Sequence, residues 1–394
     1  MRVIGLASSE AEYHTAATGV GGAMHYLFQE LATRVDLVSL YQPDPSPLRK
    51  GLSRLATFTD NPDVWRRSYK RHRPLFLAKS RLCRREIDRR RGEIDVIFQW
   101  EFFFSPTDRY PSTVPYCVYN DWTTALSVRE YPEWAPPRIR QGIDRAQGDL
   151  IRNAAYAFAF TDKVRHSLID DYGVSANKVV TTGAGINLDV IPTKVHKKYD
   201  APVLLLAGND YERKGVDVLA RALPLIHVRF PECRAIVVGD PGDYCAARVP
   251  GLDIRGPIGN KDEMSALYRQ ASLFVLPTRA EAFGHVFAEA MAFQLPCIGS
   301  NTGGVPEVIG DGDTGYLVPV DDHEALAARV IDLFERPTLM ARMGERGYRK
   351  AIDKFTWPKV VDRMMPYLRD ATGIDRTGRQ RRPHGTRGID GERR

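Results

Sequence analysis

The sequence predicts an α/β protein of two doubly wound parallel sheets, one in each of two Rossmann-like domains facing across a cleft. Three observations carry that prediction. At 394 residues the chain exceeds what a single hydrophobic core usually supports. Short, continuous apolar runs alternate with helical patterns, as expected of strands buried on both faces. This alternation occurs twice, on either side of residues 190–200, which hold Pro192 and three lysines and show no apolar periodicity.

The first set opens with a buried strand at 2–6. A loop and a glycine-rich turn, 19–23, lead into a helix with Ala23, Tyr26, Leu27, Glu30 and Leu31 at spacings of three and four. Gly21 and Gly22 in that turn let a backbone approach a phosphate or sugar closely, or simply allow a tight bend. The run is not a dinucleotide fingerprint, because Met24 stands where GxGxxG needs glycine. Further strands are expected at 35–40, 94–98, 115–119, 155–160 and 179–182. Asp121 follows the 115–119 strand at its carboxyl end, where an open sheet receives ligand; an acidic cap is the alternative.

The second set begins with a strand at 202–208 ending in Gly208, followed by a helix at 215–223 with Val216, Leu219, Ala220 and Leu223 on one face. Strands at 235–238, 273–277, 297–298 and 316–318 follow. Asn260 with Glu263, and Asp321 with Glu324, form capping patterns ahead of helices ending at Gln270 and Phe334. The expected organisation is therefore a first domain at 1–188, a linker at 189–201 and a second domain at 202–354. A helix at 355–371 is expected to pack back on the first domain, with a disordered basic tail at 372–394.

Residues 281–296 draw the chemistry together. Glu281 and Glu289 stand eight residues apart with Phe283, Gly284 and His285 between them, and a helix-forming segment follows. Gly284 is placed at the helix mouth, where unsatisfied amides and the positive dipole end attract anions. Eight residues is a little over two turns, so Glu289 is expected roughly on the side of Glu281. A core helix with two solvated glutamates is the bland alternative.

Charge is unevenly spread. The chain carries a net +7, yet residues 66–91 alone hold twelve Lys and Arg against Glu86 and Asp88. Interleaved with Trp65, Tyr69 and Phe76, that stretch is either an interfacial helix on anionic lipid or a solvated face; no base-reading module accompanies it, so nucleic acid is not an expected partner. No apolar run reaches the roughly 18–20 residues of a membrane span. The start of the chain is expected to be a strand rather than a secretion signal. Five scattered cysteines without a CxxC pair argue for a reducing cytoplasm over a disulfide framework or zinc site.

Three features coincide in order: Arg213-Lys214-Gly215 after a strand, the Glu281-x7-Glu289 spacing, and Gly303-Gly304 followed by TGYLV at 314–318. In this the chain resembles the family 4 glycosyltransferases, the retaining, nucleotide-sugar-dependent branch of the GT-B fold. The likeness is strong over 203–335 and weaker over 1–190. It implies transfer of a sugar from a nucleoside-diphosphate-sugar donor to a glycan, lipid-linked or small-molecule acceptor, without a metal or other cofactor. By the same resemblance Arg213 and Lys214 hold the donor pyrophosphate, Glu281 grips a sugar hydroxyl and Glu289 the ribose diol. Phe283, Gly284 and His285 lend backbone amides, and Gly21 and Gly22 close over the diphosphate. Asn120-Asp121 stands where many members have a histidine, which leaves the role of Asp121 open. Asp311-Gly-Asp313 has the form of a metal motif from another fold, but its setting is that of a turn. The competing readings are an epimerase or phosphorylase of the same fold and a catalytically silent sugar-nucleotide-binding or membrane-docking protein.

Overall fold

The computed structural model describes residues 1–7, 19–60, 65, 68–108, 110, 112–131, 137–193, 197–240 and 249–373. The expected tail at 372–394 therefore lies almost wholly outside the described residues. Strands β1 (Arg2–Leu6), β2 (Asp36–Tyr41), β3 (Val96–Trp100), β4 (Tyr116–Asn120), β5 (Tyr156–Ala159) and β6 (Val179–Thr181) form one sheet in the order β2-β1-β3-β4-β5-β6. Strands β7 (Val203–Ala207), β8 (Arg234–Val238), β9 (Leu252–Ile254), β10 (Leu273–Leu276), β11 (Cys297–Ser300) and β12 (Gly315–Val318) form the other, ordered β12-β11-β10-β7-β8-β9. Every pairing within both sheets is parallel. Strands β3, β4, β7, β10 and β11 are buried throughout their length, which is why they read as unbroken apolar runs.

In each sheet the order reverses beside the first strand, between β1 and β3 and between β7 and β10. Ligands of open α/β sheets bind at such switch points, outside the carboxyl ends of the strands. Residues 208–214 leave the end of β7 and residues 277–281 leave the end of β10, so the two segments meet at the second switch point.

The chain crosses between domains twice, first between β6 and β7 and again after helix Pro337–Lys354. Helix Trp357–Ala371 then packs on helix Gly19–Ala32 and on β4 and β5 of the first sheet. Its polar ties to that domain include Tyr156 Oη donating to Asp370, Arg363 donating to the Thr182 carbonyl, and an Arg34–Asp362 ion pair. Between the domains, Phe160 meets the rings of Phe283 and His285 edge-on at 5.9 Å, and Phe283 meets Phe355 at 5.6 Å. The amides of Asp162 and Lys163, opening helix Asp162–Asp170, donate to the Glu307 carboxylate of the second domain.

The structure corrects several sequence expectations. Gly19, Gly21 and Gly22 lie in the first turns of helix Gly19–Ala32, not in a turn ahead of it. The cap of helix His323–Phe334 is Asp322, which accepts from the Ala325 amide; Asp321 has φ 63° and pairs with Arg279 instead. Strand β9 and helices Pro47–Ala56 and Pro137–Arg152 went unread, being short and exposed or strongly polar. Within the basic stretch, helix Arg73–Arg89 turns Leu75, Phe76, Cys83 and Ile87 into the core, while Leu77 and Leu82 are half-buried. Arg66 and Arg67 lie outside the described residues.

Gly185 marks where the second crossing is locked. A β-carbon there would come within 2.2 Å of the Trp357 ring, and the neighbouring Ile186 amide donates to the Phe355 carbonyl. Gly185→Ala should therefore push Trp357 off its seat and cost about 1–3 kcal/mol in urea unfolding. Gly92→Ala, with nothing within 4 Å of the added carbon, should be close to neutral.

Candidate functional site

The segment after β7 is built to present two cations. Asp210, at φ 66°, caps the short helix Tyr211–Lys214 by accepting from the Arg213 amide, and its carboxylate also pairs with the Arg213 guanidinium. Arg213 donates further to the Ala280 carbonyl. Gly215, at φ 72°, ends this turn and opens helix Val216–His227; a β-carbon would stand 2.0 Å from the Pro277 carbonyl oxygen. Glycine is thus required at the third position of Arg213-Lys214-Gly215 because the end of β10 passes directly against it. Gly208 serves the same segment, since a β-carbon would meet Lys214 Cε at 2.9 Å.

Lys214 is buried, at 7% exposed. Its ammonium sits 2.5 Å from Glu281 Oε2. Burial weighs against both charges, but Lys214, followed by Arg213, outweighs it and holds the Glu281 carboxyl below its ordinary range. The loop carrying Glu281 is fixed from behind by Gly303 and Gly304. A β-carbon on Gly303, at φ 55°, would lie 1.8 Å from the Glu281 carbonyl oxygen, to which the Gly304 amide donates.

Glu281 and Glu289 do not share a helix face. Helix His285–Ala292 begins only after Gly284, so Glu281 belongs to the preceding loop and Glu289 to the second helical turn. Glu289 accepts from Tyr268 Oη at 3.0 Å, and burial pushes its carboxyl up to about 7 against that hydrogen bond. Gly284, at φ 99°, caps the helix without a side-chain acceptor, leaving the amide end addressed to the cleft. His285 is tied by Nδ1 to the Gly185 carbonyl, and burial lowers its pKa. Phe283 is buried in the aromatic contact between the domains.

Across the cleft, a cavity of about 270 Å³ at the ends of β3 and β4 is lined by Lys70, Arg71, Glu101, Asp121, Trp122 and Gln147. Burial pushes the Asp121 carboxyl up to about 6, and the Glu281 charge adds to that push. Asp121 and Glu281 thus feel each other from opposite domains. Trp122 stacks on Tyr131 at 5.9 Å. Glu101, at φ 66°, went unread because nothing local in the sequence marks it.

Asn187 joins the two sides. It accepts from Trp357 Nε1, its backbone reaches Glu289, and its amide nitrogen would lie 3.5 Å from a β-carbon on Gly22. Nearby, Asp189 accepts from Tyr26 Oη and from Lys261, which also donates to Tyr26. Gly22 is therefore brought against the linker beside Glu289. Of Gly21 only its helical backbone is described. Asp311 and Asp313 shape the turn before β12, accepting from the Leu317 amide and pairing with Arg346.

Glu289 gives the fold a pH dependence of defined sign. Its folded pKa, about 7, lies above the ordinary 4.5, so the fold favours the protonated form. That contribution is complete below about 4.5 and is lost as pH rises through 7, with a slope of at most about 1.4 kcal/mol per pH unit. Urea midpoints between pH 5 and 8 should show the loss, and Glu289→Gln should flatten it.

Comparison with known proteins bears on these features together. The family described as "Glycosyl transferases group 1" matches residues 189–350. N-acetyl-alpha-D-glucosaminyl L-malate synthase of Bacillus anthracis is 30% identical over 254 residues, covering 60% of this chain and 66% of the relative. Phosphatidyl-myo-inositol mannosyltransferase of Mycolicibacterium smegmatis is 34% identical over 181 residues, covering 43% and 45%. The matches thus span about half to two thirds of these relatives. Among solved structures, sucrose-phosphate synthase of Thermosynechococcus elongatus superposes with a TM-score of 0.68 at 17% identity, over 94% of this chain and 99% of that one. That likeness gives the fold, two facing parallel-sheet domains of the GT-B type.

Proposed function

Residues 189–350 are a domain of the group 1 glycosyltransferases, and from that premise we propose that this protein transfers a sugar from a nucleoside-diphosphate-sugar to an acceptor hydroxyl with retained anomeric configuration. The observation that carries the reading is the convergence of Arg213, Lys214, Glu281 and the amide end of helix His285–Ala292 at the switch point of the second sheet. Two cations and a helix terminus suit a diphosphate, and they suit it best as negative charge grows on the departing group.

In this reading Arg213 and Lys214 hold the pyrophosphate, with backbone from Phe283, Gly284 and His285 and the start of helix Gly19–Ala32, at Gly21 and Gly22, beside it. Glu281, kept ionised by Lys214, accepts from a donor-sugar hydroxyl, and Glu289 accepts from the ribose diol. The bond from the anomeric carbon to the leaving oxygen breaks as the acceptor oxygen bonds to the same face. The acceptor proton passes to the departing diphosphate. Asp121, facing Glu281 from the first domain, accepts from the donor sugar or the acceptor. In this reading Glu281 and Glu289 hold different parts of the donor and do not act as the acid and nucleophile pair of a glycosidase. The acceptor enters from the cavity at Asp121, and glycan or glycolipid synthesis on the cytoplasmic side is the setting this reading favours.

Lys214→Ala should lower kcat/KM by about 10²- to 10³-fold, equivalent to about 2.7–4 kcal/mol. Because Lys214 is buried against Glu281, the same change also destabilises the fold. The assay therefore belongs below the melting temperature of the variant, checked by circular dichroism. Unchanged kcat/KM there would overturn the pyrophosphate assignment, and unchanged turnover in Glu281→Ala would leave no case for this centre.

Transfer should also persist in EDTA, because Arg213, Lys214 and the helix amides meet the leaving-group charge. Loss of turnover in EDTA, restored by Mg²⁺ or Mn²⁺, would overturn that expectation.

A further inference from the structure

Helix Pro47–Ala56 is turned inside out for a soluble protein. Its large apolar residues face solvent, with Leu48 73%, Leu52 59% and Leu55 76% exposed, while Ser53 is the residue it buries. Their spacings of four and three put the leucines on one stripe. Phe58, 61% exposed, extends the stripe past the helix end, where it meets Trp65 edge-on at 5.6 Å. Trp65 is pinned by donating Nε1 to the Arg54 carbonyl, and the Arg54 guanidinium lies over the Tyr69 ring. The helix carries Arg49, Lys50 and Arg54 and no acidic residue, with Lys50 paired to Asp44 just ahead of it.

From this placement we infer that helix Pro47–Ala56 and Phe58 seat the protein on the surface of an anionic lipid bilayer. Leucines enter the headgroup boundary, the Phe58–Trp65 pair lies at the interface, and the flanking cations meet lipid phosphates. Charge decides against a second copy of the chain, since two such helices would bring like charges together. Size does too: a ten-residue helix about 15 Å long offers far less than the roughly 1,200 Å² of a stable protein interface. The docking element is thus helix Pro47–Ala56 and not helix Arg73–Arg89 of the 66–91 stretch, which exposes no large apolar residue. Lys70 and Arg71 follow closely in the chain and line the cavity beside Asp121, so docking holds that cavity near the lipid.

Flotation of the full chain with phosphatidylcholine vesicles, with and without phosphatidylglycerol, tests this independently of any sugar chemistry. The protein should float with the anionic vesicles at low salt, and poorly with phosphatidylcholine alone or at high salt. Leu52→Glu with Leu55→Glu should cut the bound fraction by about tenfold or more, whereas Leu52→Met with Leu55→Met should retain it. Both substitutions are at exposed positions, so circular dichroism and Tm should match the parent. Equal flotation of the parent and the Glu variant overturns the inference. So does loss of binding only when 374–394 are deleted, or a dimer seen by light scattering without vesicles that the Glu variant splits.

Discussion

The Lys214–Glu281 ion pair is the constraint on which the second domain's cleft face depends. It joins the segments leaving β7 and β10, and both of its charges are largely shielded from water. An unpaired charge there would be costly by several kcal/mol, so the two segments must keep their register. Three glycines permit it: Gly208 beneath the lysine stem, Gly215 against Pro277 and Gly303 against the back of Glu281. The arrangement is stiff because close backbone contacts hold it, and a stiff polar site needs little rearrangement when charge develops on a ligand.

Around that pair the contacts run from one domain into the other. His285 follows directly on the helix cap, yet its ring is fixed by the Gly185 carbonyl from the connection between domains. Asn187 holds Trp357 and reaches Glu289, and Asp189 binds Tyr26 and Lys261 together. The geometry of the cleft is therefore set by the same residues that set the angle between the sheets.

Most of the fold was legible because strands buried on both faces leave unbroken apolar runs, as at β4 and β7. Boundaries shifted by a residue or two where polar residues end a strand, as at Asn120. The cations and carboxylates of the second domain were legible because their spacing is local. The helix mouth at Gly284 was legible too, but helical spacing does not set Glu289 beside Glu281, because Glu281 lies in the loop ahead of that helix. Asp322 took the cap expected of Asp321 because Asp321 turns toward Arg279, a partner distant in sequence. The burial of Lys214 carried no signal, because it depends on the close approach of Gly208, six residues earlier. Tyr26, Asn187 and Lys261 carried no signal, since only the assembled domains bring them together.

The return of helix Trp357–Ala371 to the first sheet has a mechanical consequence. Domains joined by one strand can swivel about any direction, whereas two tethers passing side by side define an axis. Gly185 and Ile186 of the outgoing tether touch Trp357 and Phe355 of the returning one, so the axis passes near that knot. Two touching tethers leave the sheets fewer relative motions than one would, and His285, held by the Gly185 carbonyl, lies beside the place where they meet.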